Sequence, residues 1–133
     1  MFPEAYDERI LNAVIKISKE GTAEPVLLGE REVIGKKANE INLKIDWGKI
    51  EVINPKTDER TEKFAQLYHK LHPSMDLEGA KDAMQNDPNT FGTMLVHQEI
   101  VDGMISGAIS TTAETLRPAL HIIGTKEKFH KVS

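Results

Sequence analysis

A three-layer α/β sandwich with a mostly parallel sheet is the fold class this sequence predicts, and two kinds of segment carry the prediction. Pro25-Val26-Leu27-Leu28-Gly29 and Ile50-Glu51-Val52-Ile53 are short apolar runs bounded by turn residues, the composition of strands buried on both faces. Around them lie stretches whose apolar residues recur at helical spacing. Strands alternating with helices along one chain make βα units, whose crossovers force strands parallel and place helices on the sheet faces.

Each element has its own justification. Ile10, Leu11, Val14, Ile15 and Ile17 share a helical face over residues 7–20, with Asp7 as N-cap and Gly21 as the stop. The first strand follows at 26–28, within the run from Pro25 to Gly29. Residues 30–39 read as a polar helix carrying Val33 and Ile34 inward, weakened by Gly35. After the strand at 50–53, Asp58 opens a helix reaching Leu71 through Phe64, Leu67 and Tyr68, and Pro73 breaks it. A further helix is expected from Leu77 to Met84, a turn at 86–89, and a helix over 90–98 with Phe91, Met94 and Leu95 on one face. Residues 101–106 read as another strand.

The 133 residues suit one domain, 1–133, and not two. With no cysteine, disulfides, thiolate nucleophiles and Cys-based zinc sites are excluded. A net charge of -4 argues against a nucleic-acid partner. No apolar run is long enough for a membrane span, so we expect a cytoplasmic protein with no membrane partner. Met1-Phe2-Pro3-Glu4 reads as the end of a buried strand and Lys131-Val132-Ser133 as the start of another, so the chain is expected to be a fragment or module of something longer.

The common chemical signatures fail. There is neither a Walker A sequence nor a G-x-G-x-x-G. Gly103-Met104-Ile105-Ser106-Gly107 places its serine one position too late for a nucleophile elbow. His69 and His72 could share a helix face, but no third metal ligand is evident, and no metal is expected. His97 suits a helix end, His121 and His130 have no evident partners, and Asp7, Glu8 and Arg9 suit a cap and surface ion pairs.

The densest chemistry lies between Val101 and Leu120, where small residues and hydroxyls lead into Arg117 and an apolar helix. Glycines, backbone N–H groups at a helix start and a guanidinium can converge on a phosphate there. Equally, the hydroxyls can simply cap the helix and bind nothing. Sheets of this class hold ligands beyond the carboxyl ends of their strands, where Gly29-Glu30-Arg31, Asn54-Pro55-Lys56-Thr57 and this tract all fall. Arg31, Lys56 and Arg117 are thereby candidates to meet around one acidic ligand.

Several blocks resemble a known family in order and spacing. Phe2-Pro3-Glu4 with Asp7-x-Arg9, Gly21-x-Ala23-x-Pro25-Val26-Leu27-Leu28-Gly29, Asn54-Pro55-Lys56-Thr57, Phe91-Gly92-Thr93-Met94-Leu95-Val96, Asp102-Gly103-Met104-Ile105-Ser106-Gly107-Ala108 and Thr111 to Leu120 are similar to the N-terminal half of the phosphate acetyl/butyryl transferases (phosphotransacetylases). The resemblance implies two α/β domains with a cleft between them, this chain being the first without most of its first strand and its closing elements. It implies acyl transfer between coenzyme A and phosphate, with acetyl-CoA, phosphate and acetyl phosphate as small-molecule partners. Coenzyme A is then a substrate, no cofactor is needed, and the remaining partners are the missing C-terminal half and further copies of the subunit, as in a homodimer. The alternative it implies is an acetyl-CoA-sensing regulatory domain, as in malic-enzyme fusions.

Residue by residue, Ser106, Gly107, Thr111 and Thr112 match the phosphate-side loop, and Arg117 matches the arginine of the T-L-R-P block. Glu114 stands where the family usually has aspartate. A family arginine expected between Tyr68 and Met75 is absent, and Lys70 can supply its charge but not its bidentate fork. The family's catalytic serine, aspartate and further arginine belong to the later half. No catalytic residue is therefore expected in this chain.

Overall fold

Asp7 starts the first helix as its sequence position predicts. In a computed structural model that describes residues 1–126, its carboxylate accepts the backbone N–H groups of Arg9 and Ile10. Helix α1 (Glu8–Glu20) then runs to Gly21, whose φ of 66° is the left-handed conformation that ends helices. His130 and the 131–133 strand expectation lie outside the described residues.

Strand β1 (Val26–Leu28) pairs in parallel with β2 (Glu51–Ile53), Leu27 lying opposite Val52, and α2 (Arg31–Glu40) makes the crossover. On the other side of β1, Phe2 forms a parallel bridge to Leu27. The expected strand at 101–106 is not regular. Its middle nevertheless lies along the chain start: the Met1 amine donates to the Gly103 carbonyl at 2.9 Å and the Ile105 N–H donates to the Met1 carbonyl at 3.0 Å. Two such bonds flanking one residue are a parallel pairing. Among the described residues, Met1 supplies the only ladder for this segment, too little to make a strand.

Neighbouring side chains on a strand point to opposite faces, and β1 uses both. Leu27 packs with Leu11, Val14 and Ile34 from α1 and α2, whereas Leu28 and Ile53 pack with Phe64, Met84, Phe91, Met94 and Ile122. The second cluster is built by α3 (Thr61–Leu71), α4 (Leu77–Asn86), α5 (Pro88–His97) and a π turn (Ala119–Ile123). The result is a mixed α/β fold with helices over both faces of a small parallel sheet. It is narrower than the predicted sheet, with two regular strands among the described residues.

Two helix junctions differ from expectation. The turn predicted at 86–89 contracts to Asp87, which ends α4 and caps α5 by accepting the N–H groups of Asn89 and Thr90, while Pro88 occupies the first helical position. The last α-helix among the described residues, α6 (Thr112–Pro118), contains Pro118, which has no N–H with which to continue the ladder. The chain widens into the π turn, closed by the Gly124 N–H donating to the Ala119 carbonyl at 2.9 Å.

Gly29 shows how tightly the carboxyl end of β1 is built. Its φ is 149°, its N–H donates to the Ile53 carbonyl, and a Cβ there would lie 2.6 Å from the Tyr6 hydroxyl oxygen. That hydroxyl accepts the next N–H, from Glu30, at 2.9 Å. Gly29→Ala is expected to lower the unfolding free energy by about 2–3 kcal/mol through backbone strain and displacement of Tyr6. Urea denaturation checks this, and a wild-type midpoint would refute the account.

Candidate functional site

The carboxyl ends of β1 and β2 frame a cavity of about 190 Å³ lined by Tyr6, Glu30, Asn54, Lys56, Asn86 and Pro88. A larger groove, about 1390 Å³, opens at the opposite ends of the strands beside Pro25, Trp47 and Glu51. Size favours the groove, but the hydroxyl-rich loop at 106–112 belongs to the other end. Position beyond the strand carboxyl ends, together with the chemistry, selects that end as the candidate site.

The predicted meeting of three basic residues does not form. Arg31 begins α2 and lays its guanidinium over the Trp47 ring, 4.9 Å from the centroid. A cation on an aromatic face is a stabilising arrangement, and it takes Arg31 out of the group. Lys56 lines the small cavity. Arg117 lies on α6, where its charge acts on Tyr68 and His121.

The loop itself is organised by Glu4. This buried carboxylate accepts four successive backbone N–H groups, from Gly107 (3.0 Å) and Ala108 (2.7 Å) on Oε2 and from Ile109 (2.9 Å) and Ser110 (2.6 Å) on Oε1. Successive N–H groups pointing into one concavity make an anion cradle. Here the anion is internal. Burial pushes the Glu4 carboxyl up, but the donors at Ser110, Ile109 and Ala108 outweigh it and hold its pKa below 4.5. The Gly107 N–H, expected to face a phosphate, is therefore already engaged.

Neighbouring contacts fasten the same loop. Arg9 forms a two-point pair with Asp7 (3.0 and 2.9 Å) and donates from Nη2 to the Ala108 carbonyl, so this exposed arginine joins the start of α1 to the loop. Asn89, buried in the first turn of α5, accepts the Ser106 hydroxyl at 2.6 Å and donates to the Ser110 hydroxyl at 3.0 Å. Thr111 and Glu114 form a capping box: the carboxylate accepts the Thr111 N–H at 2.7 Å and Thr111 Oγ1 accepts the Glu114 N–H at 3.3 Å. These bonds hold the exposed Glu114 carboxyl below its ordinary range.

The five candidates thus separate. Ser106 and Thr111 have their hydroxyls in structural bonds, and Gly107 has its N–H on Glu4. Thr112 and Arg117 are exposed, with no hydrogen bond from either side chain among the described residues. Capping, one of the two readings open to this tract, accounts for Thr111. Glu4 and Asn89 went unrecognised in the sequence because each acts on residues distant in the chain. Glu4 reaches partners 103 to 106 positions away, and nothing local to Pro3-Glu4-Ala5 signals this.

Glu4→Gln would replace one acceptor oxygen by an amide that faces two N–H donors. It is expected to destabilise the chain by about 2–3 kcal/mol at neutral pH. Because the folded pKa of Glu4 is depressed, its contribution is complete above pH 4.5 and disappears as pH falls through the folded value. The gap between wild type and variant should accordingly narrow in acid. Unfolding curves at neutral and acidic pH test both points, and a constant gap would remove the carboxylate from this role.

Comparison with known proteins relates the chain to a family of transferases. The chain is 40% identical over 133 residues to the phosphate acetyltransferase of Bacillus subtilis (strain 168), covering 100% of this chain and 41% of that protein. To the phosphate acetyltransferase of Clostridium acetobutylicum it is 44% identical over 124 residues, 92% of this chain and 36% of that one. Its structure matches the EutD phosphotransacetylase from Staphylococcus aureus with a TM-score of 0.86 at 36% identity, covering 98% of this chain and 39% of that chain. A phosphotransacetylase from Streptococcus pyogenes matches with the same TM-score and coverage. The chain therefore spans about two fifths of the length of these relatives. Residues 1–133 match the phosphate acetyl/butaryl transferase family, and the chain belongs to it.

Proposed function

We propose that this chain is the first α/β lobe, in a three-layer arrangement, of a phosphate acyltransferase that interconverts acetyl-CoA plus phosphate with acetyl phosphate plus coenzyme A. The observation that carries this reading is the loop from Ser106 to Thr112, braced by Glu4 and Asn89 and leading into Arg117, which has no ion pair among the described residues. Bracing of this kind supports preorganisation. Donors fixed in advance lose little order when a charged substrate arrives.

In this role Arg117 supplies a guanidinium able to grip two phosphate oxygens, and Thr112 supplies an exposed hydroxyl. Ser106 Oγ donates to Asn89, and its lone pairs remain available to a polar substrate. Gly107 and Thr111 shape the loop, their N–H groups being engaged by Glu4 and Glu114. The reaction also needs a base to form the coenzyme A thiolate and a dipole for the tetrahedral oxyanion. Both are assigned to the remainder of the parent protein, which is expected to assemble as a homo-oligomer in the cytoplasm. Acetyl-CoA sensing in a malic-enzyme fusion is the second reading, favoured by the absence of arginine between Tyr68 and Met75.

Two outcomes follow for assays of acetyl-CoA formation from acetyl phosphate. The 133-residue chain alone should show negligible turnover, and robust turnover would overturn the division of the site. Arg117→Ala in the parent should reduce kcat/KM by at least about tenfold, the loss of one charged contact of about 1.4 kcal/mol or more. An unchanged rate would remove Arg117 from the mechanism.

A further inference from the structure

One cluster beside Arg117 has no part in the reading above. His72 follows the last turn of α3, its backbone N–H donating to the Tyr68 carbonyl at 2.8 Å. His121 lies in the π turn, four residues beyond Arg117. The two imidazoles meet edge to face, with centroids 4.1 Å apart and planes at 82°. The Tyr68 ring stands against His72 in the same manner, at 5.9 Å and 79°. His72 is half-buried and His121 exposed, so the pair is open to solvent from one side. Among the described residues, no nitrogen of either ring has a hydrogen-bond partner, and Arg117 has no ion pair.

We propose that His72 and His121 form, with Arg117, a proton-gated subsite for a dianionic phosphate group. The proposal rests on the phosphate reading of Arg117 and extends it to two residues outside the loop. Three groups that are cations, or become cations on protonation, share one patch with no ion pair to any of them among the described residues, although the Glu114 carboxylate feels the charge of Arg117. The nearby acids are committed elsewhere: Asp87 caps α5 and accepts the Thr90 hydroxyl, and Glu114 closes the capping box. Tyr68 is neutral, because burial and then the charge of Asp87 push its pKa up. His69, on the same helix, is tied through Nδ1 to the Met75 carbonyl.

Within this cluster His121 resists protonation. Burial, then the charges of His72 and Arg117, push the His121 pKa below 6.5. A dianion between the rings and the guanidinium reverses the balance, since each added proton becomes an attraction and each ring nitrogen gains an acceptor. Binding is then linked to proton uptake and weakens as the imidazoles lose their protons. Inorganic phosphate and the phosphomonoester of a nucleotide share this chemistry.

The test uses the intact chain and begins with sulfate, whose charge stays constant across the histidine range. Calorimetry in two buffers of different ionisation heat should show proton uptake and affinity at least about tenfold higher near pH 6 than near pH 8. Replacing both His72 and His121 by Gln should flatten the pH dependence while leaving weaker, Arg117-dependent binding. Ring-proton NMR of the wild type provides a readout independent of variant folding, with the titration of both histidines moving to higher pH when sulfate is added. Sulfate binding without pH dependence, or titrations unmoved by saturating sulfate, would overturn the subsite while leaving Arg117 in place. Loss of pH-linked binding in the histidine variant with no effect of Arg117→Ala would instead uphold the histidines and overturn the assignment of Arg117. Repeating the titration with inorganic phosphate and with adenosine 3′-monophosphate distinguishes the source, the tighter binder naming it.

Discussion

A single carboxylate, that of Glu4, ties the start of the chain to the loop that ends near residue 110, and the candidate site depends on that bond. Four backbone N–H groups converge on it in consecutive order, each within 3.0 Å. A loop of small residues has many conformations, and ordering it costs entropy at every position. Glu4 selects one conformation by giving four donors a charged acceptor in a buried setting, where charge-assisted bonds are strongest. Arg9 reinforces the choice through the Ala108 carbonyl, so the first helix and the first strand position share one anchor.

This arrangement changes what the loop can do. A phosphate cradle made of backbone N–H groups would compete with Glu4 for the same donors, and the internal carboxylate already accepts all four. In the proposed function, binding chemistry therefore rests on side chains, Thr112 and Arg117 foremost, with the backbone as their support. The support continues into α5, whose residues Asn89 to Leu95 are all buried. Asn89 uses one amide to hold Ser106 and Ser110, and Asp87 holds the turn below it. Rigid elements thus carry a loop that would otherwise be loose.

Pro118 has a comparable reach. By removing one ladder donor it opens the helix into a π turn, and the wider turn sets the register in which His121 meets His72. The length of the Glu114 side chain has a local consequence as well. Its side chain spans back to the Thr111 N–H and closes the capping box.

The helices and the two central strands were legible in the chain because periodicity, caps and turn residues are local signals. Asp7 and Gly21 bound α1 as predicted, and the apolar runs at 26–28 and 51–53 became β1 and β2. Family membership was legible too, through blocks spread across the whole length. The tertiary structure alone decided that Glu4 fills the loop, that Arg31 turns to Trp47, and that residues 103–105 lie beside Met1 without forming a strand. Each of these joins residues distant in sequence, or chooses between partners a side chain could equally reach. Sequence patterns report which conformations a segment prefers, whereas the pairing of a buried charge is settled only when the folded chain brings its donors together.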